Sequence, residues 1–319
     1  MKKFIIKCGC MVVALIVSVY ALNAWYFNIK ANTADNFISK FYRMPNDIEV
    51  CNFGSSHGYY GFIYTDYDNS VTTFNFATES QSLSYDYKLL DYYKTHLTKG
   101  AVVFIPISYF SFYGQPENQE ESFLSRNKRY YTILPNSYIM DYDVKTDFFQ
   151  NYLLLVDYEM TAYYAFKSKP ATEKSDDYPA VEQTADDIDL TADVGAAYLR
   201  HHGTNVLVDN GELVKNQDKV DALYDMIALC KEIGARPVLV TTPFLREYND
   251  EYLENDPDFL TKHREFIKEI CEETGAEYYD YSFDERFVDD HSLFMNGDHL
   301  NYNGAVKFTD ILMQEIVEK

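Results

Sequence analysis

Apolar residues in this chain form short runs separated by amphipathic stretches, after one long apolar segment at the N-terminus. Runs of four to eight residues rich in β-branched and aromatic side chains predict buried strands. Such strands are expected at Ile48–Phe53, at Val71–Phe76, from Ala101 onward, at Pro237–Thr242 and at Ala276–Tyr281.

Apolar residues at helical spacing predict helices between these strands, and a glycine or Lys-Gly pair follows three of them as a stop signal. The helices are expected over Tyr85–Leu97, Asp218–Ile233, Asp258–Thr274 and from about Asn303 to the end. Alternating strands and helices predict an α/β domain with a mostly parallel sheet. No internal repeat is visible.

The segment from 115 to about 205 lacks this regularity and is rich in polar and acidic residues. We interpret it as an irregular insertion in one α/β domain covering 48–319, rather than as a second domain. A polar stalk, 31–47, precedes that domain.

The first 30 residues predict a membrane anchor. Cys8–Ile29 carries no charge and is long enough for a helix to cross a bilayer, whose hydrocarbon core is about 30 Å thick. The lysines at positions 2, 3 and 7 favour a cytoplasmic N-terminus, and the aromatic residues 25–27 suit the opposite interface. Residues 1–30 are therefore expected to be a single-pass anchor, with the rest of the chain extracytoplasmic. The alternative is a signal peptide cleaved after Val19-Tyr20-Ala21, although the apolar run is longer than usual for one.

The composition and net charge of the chain limit the classes of partner that it can bind. The 319-residue chain is 47% hydrophobic and has a formal net charge of -22, so it can form a large core and repels phosphate backbones. Nucleic acid is excluded as an expected partner. The cysteines have no CxxC spacing and predict buried free thiols, not a zinc site or a disulfide framework. They are Cys8, Cys10, Cys51, Cys230 and Cys271.

The first candidate for chemistry is Phe53-Gly54-Ser55-Ser56-His57-Gly58, where an apolar strand stops at a glycine followed by serines. Parallel sheets bind ligands at the carboxyl ends of their strands, and a serine there can act as a nucleophile. The alternative is an ordinary serine cap of a helix.

The second candidate is Asn296-Gly-Asp-His-Leu-Asn-Tyr-Asn-Gly-Ala305, directly before the last helix. Parallel winding can bring His299 to the first strand, and an imidazole with a pKa near ~6.5 can accept and return a proton near neutrality. The alternative is a histidine in a surface turn.

Together, Gly54-Ser55-Ser56 and the final Asp298-His299-Leu300-Asn301 loop resemble the SGNH/GDSL hydrolase superfamily over about 48–319. The chain is most similar to membrane-anchored bacterial members of teichoic-acid D-alanylation and alginate O-acetylation systems. The resemblance implies a flavodoxin-like three-layer fold, with Ser56 as nucleophile and His299 as general base.

The chain departs from the family pattern at two places. Asn296 stands where the family usually has the aspartate that orients the histidine, so either a Ser-His pair suffices or Asp298 or another acid substitutes. Members of the family usually have an asparagine that donates to the oxyanion in the segment after the third strand. This chain has no asparagine in that segment, around Ser108. The resemblance implies an oxyanion donor at the N–H of Ala77, beside that of Ser56. The candidate oxyanion and substrate-binding residues are Gly54, His57, Asn75, Ala77 and Ser108.

The sequence thus predicts an extracytoplasmic serine esterase or O-acyltransferase that acts on acyl esters of a cell-envelope or exported polysaccharide. No cofactor or metal is expected, and the adjacent His201-His202 is not taken as a metal pair because neighbouring side chains point apart. A membrane-bound O-acyltransferase is a plausible partner. The alternatives are a non-catalytic scaffold that keeps the fold and a secreted lipase-type enzyme.

Overall fold

The computed structural model describes residues 1–31, 39–67, 70–114, 123–153, 178–204, 207–209 and 212–318. These residues form two compact units: 1–43 with 122–177, and 44–121 with 178–319. The expected single insertion at 115–205 is therefore divided, because 178–204 belongs with the sheet. The segments 32–38 of the stalk and 115–122, 154–177 and 205–206 of the insertion lie outside the described residues.

The first unit contains the helix α1 (Lys2–Ala31), a 3-10 turn at Ser39–Arg43, and the helices α4 (Phe123–Asn127) and α5 (Val144–Tyr152). Within α1, Lys2–Trp25 is long and apolar enough to cross a membrane.

The second unit is built on five parallel strands. They are β1 (Ile48–Asn52), β2 (Thr73–Asn75), β3 (Leu97–Pro106), β6 (Arg236–Thr241) and β7 (Glu277–Asp280), in the order β2-β1-β3-β6-β7. This confirms the mostly parallel sheet. A small antiparallel pair, β4 (Leu207–Asp209) and β5 (Glu212–Val214), lies apart from it.

Four helices of this unit lie where the sequence predicts them: α3 (Leu83–Tyr93), α7 (Gln217–Glu232), α9 (Phe259–Thr274) and α10 (Tyr302–Leu312). The unit also contains α2 (Ser56–Gly61), α6 (Leu190–Tyr198) and α8 (Arg246–Asn255). Gly275, at φ 66°, ends α9 in the left-handed conformation that favours glycine, as expected.

The boundary between α3 and β3 differs from the prediction. The helix was expected to reach Leu97 and stop at Lys99-Gly100, but Leu97 already pairs with Ile48 of β1, and the Gly100 N–H donates to Gly234 O at 2.8 Å. Pairing with the neighbouring strand therefore outweighs the local helical pattern.

The core on one face of the sheet explains why α10 packs where it does. Phe308 of α10 contacts Phe62 and Tyr281, with ring centroids 5.7 and 5.3 Å apart. Each fully buried aromatic ring of this kind contributes about 1.5–3 kcal/mol. Because α10 is fixed in this way, the loop before it is held close to α2.

The strand order also places a crevice. The chain leaves β1 toward β2 on one side and β3 toward β6 on the other, so the order reverses between β1 and β3. In open parallel sheets, ligands bind beyond the carboxyl ends of the strands at this switch point. The segments that follow β1 and β3 begin near Ser56 and Ser108.

Candidate active site

Ser56 is the first residue of α2, immediately after β1. The short helix packs onto the end of the sheet because Gly58 has no side chain: a Cβ there would lie 2.3 Å from Phe53 O and 2.9 Å from Ala77 Cβ. This close approach holds the Ser56 side chain at the carboxyl edge of the strands.

The loop carrying His299 is held equally tightly. Asn301 caps α10 by accepting a hydrogen bond from the Gly304 N–H at 3.0 Å, and its amide donates to Ser292 O at 2.8 Å. A Cβ on Gly304 would lie 2.0 Å from Leu293 O, so only glycine allows α10 to begin this close to the preceding segment.

These two segments bring a hydroxyl and an imidazole together. Ser56 Oγ lies 2.8 Å from His299 Nε2, although 243 positions separate them in the chain. Both residues are partly accessible, with the His299 side chain 14% exposed. A substrate can therefore reach the pair.

An acid lies on the other side of the imidazole. Asp298 Oδ1 is 2.8 Å from His299 Nδ1, and the Asp298 side chain is only 2% exposed. Asn296, three residues before His299, forms a turn instead: its Oδ1 accepts from the His299 N–H at 2.9 Å and lies 3.1 Å from His299 Nδ1. Among the alternatives left open by the sequence, the geometry favours Asp298 as the acid.

A second imidazole contacts the same carboxylate. His57 Nε2 lies 3.2 Å from Asp298 Oδ2, and His57 Nδ1 lies 2.5 Å from Ser108 Oγ. His57 is 2% exposed. The side chains of Ser56, His299, Asp298, His57 and Ser108 thus form one continuous series of hydrogen bonds.

The charges follow from burial and these contacts. Burial alone would lower the pKa of His299, but the charge of Asp298 and the hydrogen bond to it outweigh burial and raise that pKa. Burial would raise the pKa of Asp298, yet the two histidines hold it well below the usual range.

Burial also lowers the pKa of His57, which favours the neutral form of this imidazole. The neutral ring donates a hydrogen bond from Nε2–H to Asp298 and accepts one at Nδ1 from the Ser108 hydroxyl. His299 correspondingly donates a hydrogen bond from Nδ1–H to Asp298 and accepts one at Nε2 from the Ser56 hydroxyl. One carboxylate therefore fixes the tautomers of both rings.

Several candidate binding residues are used by the fold instead. The Ala77 N–H donates to Asn75 Oδ1 at 2.9 Å, so it is not directed to an oxyanion as expected. The Asn75 amide donates to the carbonyls of Gly58 and Phe62, at 3.1 Å each, and is buried. The Gly54 N–H donates to Asp86 Oδ1 at 2.9 Å.

The expected substrate contacts at His57 and Ser108 are likewise corrected. Both side chains are buried, at 2% and 3% exposure, and they hydrogen-bond to each other. They support the site from behind rather than face a substrate.

Two side chains near the site were not predicted to take part. His201 packs on Phe110, with ring centroids 4.3 Å apart, and its Nδ1 lies 3.9 Å from Asp298 Oδ2. The Tyr60 ring stands perpendicular to His299 at 5.8 Å. Tyr60 lies one helical turn after Ser56 on α2, so helical spacing could have indicated it, whereas no spacing in the sequence brings His201 to the site.

The ligand atoms of His57, Asp298 and His299 all lie within 4.8 Å of one another and could in principle hold a metal ion. Their hydrogen bonds, at 2.8 and 3.2 Å, account for this arrangement without a cation. The chemistry that this geometry supports directly is proton transfer from Ser56 through His299.

Comparison with known proteins adds little. No family model and no curated protein matches the chain. A Streptococcus pneumoniae structure provisionally described as a platelet activating factor overlaps 94% of this chain and 98% of its own, with TM-score 0.40 and 11% identity. A provisionally described acylhydrolase from Bacteroides fragilis overlaps 89% and 97%, with TM-score 0.40 and 10% identity. At these scores the overlaps carry no argument, and the interpretation depends on the site itself.

Proposed function

We propose that this chain is a membrane-anchored, extracytoplasmic serine esterase or O-acyltransferase of the SGNH type. The observation that carries the proposal is the contact of Ser56 Oγ with His299 Nε2 at 2.8 Å, with Asp298 2.8 Å from the other ring nitrogen. This is the arrangement of a nucleophile, a general base and an orienting acid.

In the proposed reaction, Ser56 Oγ attacks an ester carbonyl carbon while its proton passes to His299 Nε2. Asp298 stabilises the resulting imidazolium, and the Ser56 N–H, at the first position of α2 where no intrahelical acceptor exists, stabilises the oxyanion. His299 then returns the proton to the leaving alcohol, which leaves an acyl group on Ser56.

The second half returns the enzyme to its starting state. Attack by water on the acyl group makes the protein an esterase, and attack by a sugar or polymer hydroxyl makes it an O-acyltransferase. In both cases His299 takes the proton of the attacking water or hydroxyl and gives it to Ser56 Oγ as the bond between Oγ and the acyl carbon breaks.

The proposed substrate class rests on the N-terminal apolar segment and the lysines that precede it. Within the helix Lys2–Trp25, an uncharged apolar run from Cys8 onward follows the lysines at positions 2, 3 and 7, which favours an outward-facing enzyme at the membrane. We therefore propose an acylated envelope or exported polysaccharide as substrate, with a membrane-bound O-acyltransferase as the source or recipient of acyl groups.

A fluorophosphonate probe tests the nucleophile. The detergent-solubilised full-length chain is expected to form one covalent adduct, which Ser56→Ala abolishes. Ser55→Ala is the matched control, because Ser55 precedes the helix and its side chain makes no capping bond. Equal labelling of wild type and Ser56→Ala would contradict the proposal, and absence of labelling in both would favour a non-catalytic scaffold.

A further inference from the structure

Exposed apolar side chains are concentrated in the unit that contains α1. After residue 31, ten large apolar residues are exposed among those described, and six of them lie in the two short segments 39–43 and 123–153. These six are Tyr42, Leu124, Tyr142, Val144, Phe148 and Tyr152. Scattered exposed apolar residues are normal, but such clustering marks an interaction surface.

Three of the six form a stripe along α5. Val144, Phe148 and Tyr152 are spaced four residues apart and are 71%, 49% and 58% exposed, so they share one face of the helix. Gln150 is buried at 1% exposure. The face that carries the three residues is therefore not the one that packs against the unit.

Hydrogen bonds fix α5 in this orientation. The Asp143 N–H, at the start of α5, donates to the Tyr131 hydroxyl at 2.9 Å, and the Asn151 amide donates to Tyr131 O at 3.2 Å. Both ends of the helix are thus tied to the same tyrosine. The apolar stripe is a fixed feature of the surface.

The point along α1 at which the end of α5 makes contact indicates what surrounds the apolar stripe. Almost all side chains of α1 as far as Leu22 are exposed, whereas Asn23 is only 6% exposed and its amide lies 3.5 Å from Asn151 O. The charge-free part of α1 before Asn23, Cys8–Leu22, is about 22 Å long at a rise of about 1.5 Å per residue. The hydrocarbon core is about 30 Å thick, so with Lys7 at the cytoplasmic side, Asn23 and the end of α5 lie within about 8 Å of the opposite surface, the depth at which interfacial helices bury their apolar faces.

We infer that α5 lies in the bilayer interface at the C-terminal end of α1, with Val144, Phe148 and Tyr152 inserted among the lipids. A short amphipathic helix with such a stripe binds the headgroup boundary by burying its apolar face. The inference depends on the membrane anchor of the proposed function. The partner is the lipid of the same membrane, not a second protein.

The single tryptophan of the chain makes a direct test possible. In a Trp25→Phe background, Phe148→Trp or Val144→Trp places one fluorophore in the stripe of the full-length chain, reconstituted into phosphatidylcholine vesicles with brominated lipids. Val12→Trp reports on α1, and Glu272→Trp, at an exposed charged position of α9, reports on water.

Tryptophan at 148 or 144 is expected to lose most of its emission to the brominated lipids, with a blue-shifted spectrum, while tryptophan at 272 keeps its emission. Unquenched, blue-shifted emission at 148 and 144 would mean that protein covers the stripe, and unquenched, red-shifted emission would mean that water does; either result overturns the inference. Val12→Trp separates the two proposals: if it too is unquenched, the membrane anchor itself is wrong.

Discussion

Replacing Asp298 by asparagine tests the electrostatic role that we assign to this carboxylate. The substitution keeps the shape of the side chain but removes a charge whose oxygens lie 2.8 Å from His299 and 3.2 Å from His57. Both imidazoles donate an N–H to Asp298. The two rings contact different oxygens of the carboxylate, so in an asparagine one ring meets the amide oxygen and the other meets the NH2 group, which favours the wrong tautomer of that ring.

The expected loss can be worked out from the charge. At an effective dielectric constant of about 20, a unit charge about 4 Å from the imidazolium stabilises it by about 4 kcal/mol. Because about 1.4 kcal/mol corresponds to a factor of ten in rate, Asp298→Asn is expected to slow acylation of Ser56 about a thousandfold. Removing the charge also lowers the pKa of His299, so the acid limb of the rate profile shifts to lower pH while the plateau falls.

The assay is the rate of fluorophosphonate labelling of the full-length chain as a function of pH. The double variant Asn296→Asp/Asp298→Asn is a matched control, since it returns a carboxylate to a position whose oxygen is 3.1 Å from His299 Nδ1. It is expected to recover at least about tenfold of the lost rate, because the returned charge again stabilises the imidazolium. A rate for Asp298→Asn close to that of wild type, with melting temperatures unchanged, would refute the assigned role.

Three further predictions follow from buried groups. His57→Leu removes a hydrogen bond to the charged Asp298 worth about 1.5–3 kcal/mol, so it should slow labelling about 10- to 100-fold. His57→Gln can still donate to Asp298 and should slow labelling less. Equal labelling rates in the two variants would contradict this. Gly304→Ala, whose Cβ would lie 2.0 Å from Leu293 O, should lower the thermal midpoint and slow labelling by displacing the His299 loop, and a wild-type midpoint would contradict it. His263 is buried among aromatic rings, with no hydrogen-bond partner for its nitrogens among the described residues, and burial lowers its pKa to about 3. Below about pH 6.5, His263 is protonated in the unfolded chain but stays neutral in the folded chain. The free energy of unfolding therefore falls as the pH drops from 6.5 toward 3, by about 2 kcal/mol at pH 5. His263→Phe should remove this part of the urea-unfolding pH dependence, and an unchanged slope would contradict the prediction.

The parts of the fold that the sequence predicted have strong local signals. The strands β3 and β6 contain near-continuous apolar runs, and Gly275 ends α9 in a positive-φ conformation that favours glycine. The start of β3 at Leu97 could not be predicted, because it depends on pairing with Ile48, about fifty residues earlier. The helix α8 was missed because its buried side chains are mostly polar aromatics, Tyr248 and Tyr252, among acidic residues.

The residues of the candidate site also include some that the sequence could indicate and others whose roles only the folded structure shows. Ser56 and His299 stand beside a strand end and a helix start, so local pattern and family resemblance could propose them. The roles of His57 and Ala77 depend on partners that only folding supplies. His57 reaches Ser108 and Asp298, and the Ala77 N–H is taken by an asparagine side chain whose orientation no spacing rule gives.

The most direct test of the central claim is to trap the acyl group. The full-length chain is mixed with p-nitrophenyl acetate, quenched in acid within one turnover and digested for peptide mass spectrometry. The account predicts a single added acetyl group on Ser56, absent in Ser56→Ala and formed much more slowly in His299→Gln. Ester cleavage without an acetylated Ser56, or acetylation that persists unchanged when His299 is replaced, would contradict it.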